Sequence, residues 1–215
     1  GEPQIQELNQ QKVQPQKSSY FKNLKKELKQ VPGRYFATLP VRFMLYTAKA
    51  SFDTLSNEAF AAKLHVSQQE AKKYIMSQAV TSIVSFALFS VLSTFTSRIE
   101  WFVLFGQVVM AASFGYLFCD LAVGWVVSIG IGIAFGAFTS NVSSILVKQA
   151  GKELGATALG FCFSIEYLMM AGVVPLSSYL GRYNYDYCGL LYLVMVAVSI
   201  VFMLVVMAKW FRKVK

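Results

Sequence analysis

Residues 122–147 read AVGWVVSIGIGIAFGAFTSNVSSILV, a run of 26 residues without a charge. A hydrocarbon core of about 30 Å needs about 20 helical residues to cross it, so this run is long enough to span a bilayer. An open strand would leave backbone groups unpaired in lipid, and no barrel-like alternation is present, so the run reads as a helix. Ser128, Gly132, Gly136, Ser140 and Ser144 recur every four residues along it. Such a ridge of small residues lets another helix backbone approach closely, with Gly132 and Gly136 forming its GxxxG centre. The ridge runs into a polar cluster of Thr139, Ser140, Asn141, Ser143 and Ser144. For Asn141 a pathway role and an interhelical hydrogen bond are both open.

Working outward, five further apolar segments appear at 36–60, 74–95, 99–118, 155–180 and 187–210, joined by short connections. The expected fold is all-α: a polytopic membrane protein with six transmembrane helices over residues 35–215, following a basic Gln/Lys-rich segment over 1–34. Composition agrees. Of 215 residues, 55% are hydrophobic and 14% charged, with a mean hydropathy of +0.48. A soluble domain carries about 25% charged residues, so most soluble enzymes are excluded. Within residues 1–34, Gly1 to Val31 reads as a solvated tail. Alternatively, Phe21, Leu24 and Leu28 sit at helical spacing among Lys22, Lys25, Lys26 and Lys29, the pattern of a helix lying on anionic lipid.

The net charge of +9 is read as membrane orientation rather than nucleic-acid binding. Six spans put both ends on one side. That side holds fourteen basic residues: Lys12, Lys17, Lys22, Lys25, Lys26, Lys29, Arg34, Arg98, Lys148, Lys152, Lys209, Arg212, Lys213 and Lys215. The other holds four, Lys63, Lys72, Lys73 and Arg182. The bias places both termini in the cytoplasm.

Charge inside a bilayer costs at least about 2.5–3.5 kcal/mol, so each instance asks for a reason. The first span carries Arg42, Lys49, Asp53 and Glu58. Arg42, Tyr46, Lys49 and Asp53 share one helical face, and Lys49 and Asp53 form an i,i+4 pair of opposite charge. Arg42 and Glu58 lie near the span ends, where long side chains reach the interface. Glu166 stands alone in the fifth span, where burial would favour its neutral form or a cation on another helix, such as Lys49, would hold it ionised. Gln78, with Ser82 and Ser85, gives the second span a polar stripe. Candidate pathway residues are therefore Tyr46, Lys49, Asp53, Gln78, Asn141 and Glu166. The competing reading makes them an ion-pair network that holds helices together. The first and fifth spans must face protein or water; the uncharged third and sixth can face lipid. Ser67-Gln-Gln-Glu70 is a capping box that starts the second span near Gln68.

Cys119, Cys162 and Cys188 have no metal-ligand spacing, and one histidine, His65, rules out a multi-His site. Cys119 and Cys188 both fall near non-cytoplasmic span ends, where a disulfide would need close approach. No HExxH, GxSxG or paired intramembrane aspartates occur, so no catalytic residue, metal or cofactor is expected.

Lys152-Glu-Leu-Gly155-Ala-Thr-Ala-Leu-Gly160-Phe, then Ser164-Ile-Glu166 and Val174-Pro175, is similar to the cytoplasmic loop and eleventh helix of major facilitator superfamily transporters. Gly130-Ile-Gly132-Ile-Ala134-Phe-Gly136-Ala137 resembles their tenth helix. The nearest branch includes the lysosomal dipeptide uniporters. The resemblance covers the membrane part and implies the C-terminal six-helix half of a twelve-helix fold, itself a 3+3 repeat. Its first, second, fourth and fifth helices would line a cavity. The loop that usually reads G-x-x-x-D-R/K-x-G-R/K is here Ser90 to Arg98, with Thr94 for the acidic residue and Ser97 for the second glycine. A faint internal echo, Ser56-Asn57 against Ser140-Asn141, fits two three-helix units.

The function expected is transport of a small solute by alternating access. The partners would be the lipid bilayer, a missing N-terminal six-helix half in the same or another chain, and a small-molecule substrate. The alternative is a non-transporting structural subunit packed against other membrane subunits.

Overall fold

The computed structural model describes residues 17–118, 123–151 and 153–211, with side chains described over 24–118, 123–151 and 153–208. Cys119, Lys152 and the terminal basic residues Lys12, Arg212, Lys213 and Lys215 lie outside the described residues. The described chain forms seven helices: α1 (Lys17–Gln30), α2 (Gly33–Leu64), α3 (Gln68–Thr94), α4 (Glu100–Phe118), α5 (Gly124–Ala150), α6 (Gly155–Gly181) and α7 (Tyr185–Phe211). The protein is all-helical. Five helices, α3 to α7, are long and apolar enough to cross a membrane, which makes the chain a multi-pass membrane protein. The sixth long helix, α2, has 32 residues and carries the charges, so its composition sets it apart from the five.

Helix boundaries follow local chemistry. The Ser67 side chain accepts a hydrogen bond from the Glu70 backbone N–H at 3.2 Å, which starts α3 at Gln68. His65, with φ of 53°, takes the left-handed conformation that closes α2, and its backbone N–H bonds to Ala61. Pro40 and Pro175 sit inside α2 and α6, where each withholds one backbone donor without ending its helix.

Residues 17–30 fold as a helix instead of a solvated tail. The Thr157 hydroxyl donates to Glu27 at 2.7 Å, and the following Val31 is buried against α2 and α6. These contacts give the basic segment something to fold against.

Successive long helices reverse direction, so two ends can be defined. At one, the Tyr35 hydroxyl donates to the Ala158 carbonyl and Thr38 donates to Gln149 at 2.8 Å, joining the start of α2 to α6 and α5. At the other, Tyr185 donates to Glu58 at 3.1 Å and Lys63 pairs with Asp186, joining the end of α2 to α7. Between them lies one large aromatic core. Phe52 packs edge-on to Phe60, Phe114 and Tyr192, with centroids 5.7, 5.2 and 6.1 Å away. A buried chain crosses it: Gln107 donates to Ser199 at 2.6 Å, and Ser199 to the Val41 carbonyl at 2.7 Å. Buried Cys188 bonds the Ser177 carbonyl at 3.2 Å.

Coverage differs from the expectation drawn from charge. By charge, the helices over 99–118 and 187–210 can face lipid, whereas the one over 155–180 must face protein or water. The apolar windows of the first two are 39% buried in the chain, against 11% for α3 and α6 and 56% for α5. One charge fixes one strip of a helix. Glu166 holds a narrow strip of α6 inward, while Tyr167, Leu168 and Tyr179 on the same helix are exposed.

Candidate functional site

The site begins with the face of α2 that carries Thr38, Arg42, Tyr46, Lys49 and Asp53. An α-helix rises 1.5 Å per residue, so Arg42 stands about 14 Å above the start of α2, and Glu166 about 17 Å above the start of α6 at the same end. The two are level. Arg42 Nε donates to Glu166 Oε2 at 2.8 Å, with side-chain exposures of 8% and 2%. A second guanidinium nitrogen bonds the Ser143 hydroxyl of α5, so the pair ties three helices. The Phe163 and Tyr46 rings flank the guanidinium, 4.8 and 5.8 Å from its carbon.

This corrects the assignment of Lys49 as the cation beside Glu166. Lys49 lies seven residues beyond Arg42 on α2, about 10 Å farther along the axis, out of reach of the carboxylate. It also corrects the reading of Arg42 as an end-of-span side chain. Because α2 starts at Gly33, Arg42 is two and a half turns inside it and only 6% exposed.

Lys49 instead pairs with Asp53 on its own helix, Nζ to Oδ1 at 2.6 Å. Gln78 of α3 donates to the same oxygen at 3.0 Å. Again the levels match: Asp53 is eleven residues from the end of α2, and Gln78 ten from the start of α3 at that end. The Lys49 ammonium lies 4.8 Å from the Phe135 ring of α5, whose other neighbour is the Tyr46 ring at 5.7 Å. Lys49 is buried, with 8% side-chain exposure, but Asp53 is 48% exposed. Tyr46 lies between the two charge centres. The Gln78 side-chain oxygen is buried without a partner among the described residues.

Asn141 is buried but stands apart from both pairs. Its amide nitrogen donates within α5, to the Ala137 carbonyl at 2.9 Å and the Ser140 hydroxyl at 2.8 Å, while its oxygen has no partner among the described residues. The small-residue ridge divides. Ser128 shares a hydrogen bond with Ser77 at 2.7 Å. A methyl group at Gly132 would sit 2.7 Å from the Gln78 carbonyl, and one at Gly136 would sit 2.6 Å from the Phe86 backbone nitrogen. Ser128, Gly132 and Gly136 thus seat α5 on α3. Ser140 bonds back to Ala137, and Ser144 faces an open hollow of about 630 Å³ with Ser143, Val147, Lys148 and Gly151.

Sequence reasoning missed the Arg42–Glu166–Ser143 junction and the Gln107–Ser199 bond. Counting residues from the helix ends would have found the first. For the second, lone neutral polar residues in apolar runs give little signal.

Chemically, the site is two cations and two carboxylates on a bundle whose other surfaces are mostly apolar. Among the described residues, no group of His, Cys, Asp or Glu has the arrangement of a metal site. Its architecture defines a multi-pass helical membrane protein with paired charges inside the bundle. No protein-family model matches the chain, and no curated protein matches it.

Proposed function

We propose that the chain is the six-helix half of a membrane transporter that moves a small solute by alternating access. In this reading α2 also crosses the membrane, as the first of six spans, the end bearing Lys25, Lys26, Lys29, Arg34, Arg98 and Lys148 is cytoplasmic, and a second six-helix half covers α3 and α6. The observation that carries the reading is the α2 stripe. Arg42, Tyr46, Lys49 and Asp53 line one side of a charged helix, and the Asp53 carboxylate stays half exposed. Intramembrane charge arranged in this way marks solute and proton paths.

The packing supports two inverted three-helix units. Exchanging α2 with α5, α3 with α6 and α4 with α7 turns the α3–α5 contact into α6–α2, and the α4–α5 contact into α7–α2; all four are among the main helix contacts. Asn57 and Asn141, at matching places in the two units, each leave a side-chain oxygen unpartnered among the described residues. Inverted repeats of this kind are a transporter architecture.

The Arg42–Glu166 pair favours a second reading, a structural subunit, because it clamps three helices without leaving either charge open. One experiment separates the two. Tyr46→Cys is made after the three native cysteines are replaced, and membranes holding the complete assembly are treated with an impermeant thiol reagent from each side. A transporter exposes position 46 to both sides in turn, so both treatments label it. Protection from both sides, with the chain folded, rejects transport.

A further inference from the structure

Away from the polar stripe, a shallow groove of about 680 Å³ lies where α1 meets the start of α2. Leu24, Leu28, Val31 and Phe36 make its apolar floor, and Lys25 and Lys29 stand at its rim. The groove is anchored: Glu27 is bonded by Thr157, and Val31 is buried among Tyr35, Leu39 and Ala158. Phe36 is 40% exposed, with its ring edge-on to Tyr35 and Phe161. Lys25, Lys26 and Lys29 are exposed. Neither rim lysine pairs with a carboxylate among the described residues.

Charge and surface together select the occupant. Two ammonium groups at one edge favour an anion. A free phosphate ion would leave the four apolar side chains in water. A zwitterionic lipid would cover them but bring no net charge to the lysines. An amphiphile with an anionic head answers both, and the groove sits at one end of helices that cross a bilayer full of such molecules. We propose that this groove binds one anionic phospholipid, with its phosphate at Lys25 and Lys29 and an acyl chain along Leu24, Leu28, Val31 and Phe36. The site would fasten α1 to the membrane surface.

The test uses the full chain in neutral detergent, titrated with phosphatidylglycerol or phosphatidylcholine of identical chains, with bound lipid counted by native mass spectrometry. One phosphatidylglycerol per chain should be retained at least tenfold more tightly than phosphatidylcholine. Each lysine near an anionic group contributes roughly a fivefold change, so Lys25→Gln with Lys29→Gln should weaken phosphatidylglycerol by about 30-fold and leave phosphatidylcholine unchanged. These residues are exposed, so helix content should not change. Phe36→Ala should weaken both lipids. Lys26→Gln, on the same helix but off the groove, should change little. Equal affinity for the two lipids, an unaffected double variant, or an equal loss with Lys26→Gln would overturn the groove site. Displacement by glycerol phosphate at concentrations matching the lipid would also overturn it, since the apolar floor would then contribute nothing.

Discussion

The two charge pairs of this molecule use the same chemistry in different surroundings. Arg42 and Glu166 are both buried, come from different helices and recruit Ser143 from a third. Lys49 and Asp53 are one turn apart on α2, and the carboxylate is half exposed. Separating the first pair would strand a charge among apolar helices. Separating the second strands Lys49 as well, but beside a position that solvent and Gln78 reach. The contrast separates them: the first is a clamp that sets the relative height of α2, α5 and α6, and the second keeps its carboxylate half exposed.

The largest expected effect follows from breaking the clamp. Glu166→Gln leaves Arg42 buried and unpaired and should destabilise the protein by about 3–5 kcal/mol, read as an earlier thermal transition in detergent. Adding Arg42→Met should recover much of that loss. A silent Glu166→Gln would mean that the guanidinium finds water, and would erase the contrast between the pairs.

The next effect tests the seat of α5 on α3, which fixes Gln78 beside Asp53. Gly136→Leu drives a side chain into the Ser82–Phe86 backbone and should cost about 1–3 kcal/mol or block folding. Gly115→Leu is the control, because a methyl group there meets nothing within 4 Å. Equal yields of the Gly136 and Gly115 variants would remove the close approach from the account.

The Ser67 cap is a smaller effect. Ser67→Ala should cost about 1 kcal/mol in the same melting assay, since one backbone donor of α3 loses its acceptor. At the Lys49–Asp53 pair only the carboxylate is open to solvent. Asp53→Asn leaves Lys49 buried, but beside a half-exposed position that water reaches, so it should shift the melt by clearly less than Glu166→Gln. It should nevertheless alter the labelling of Tyr46→Cys, because it removes the charge that holds the Lys49 ammonium, about one turn from position 46.

Much of this architecture was legible in the sequence. Long apolar runs place helices because lipid demands internal backbone pairing over a fixed thickness. The Ser67 box and the Gly132–Gly136 spacing carry their geometry in the residues themselves. Two kinds of information were not legible. The partner of Glu166 depends on where α2 begins; reading the span from residue 36 and treating Arg42 as interfacial hid that Arg42 and Glu166 are level. Helix coverage depends on the width of each buried strip, and charge marks only the strip's position. That is why α6, with its buried Glu166, still exposes Tyr167, Leu168 and Tyr179.

The division of labour between the pairs is tested most directly by two double-mutant cycles run side by side on the intact chain, one with Arg42→Met and Glu166→Gln, the other with Lys49→Met and Asp53→Asn. Each reports the energy with which two side chains depend on each other. A pair buried on both sides and a pair open at its carboxylate predict a coupling of about 2 kcal/mol or more for Arg42–Glu166 and a clearly smaller one for Lys49–Asp53. Equal couplings, or the larger value at Lys49–Asp53, would contradict the account.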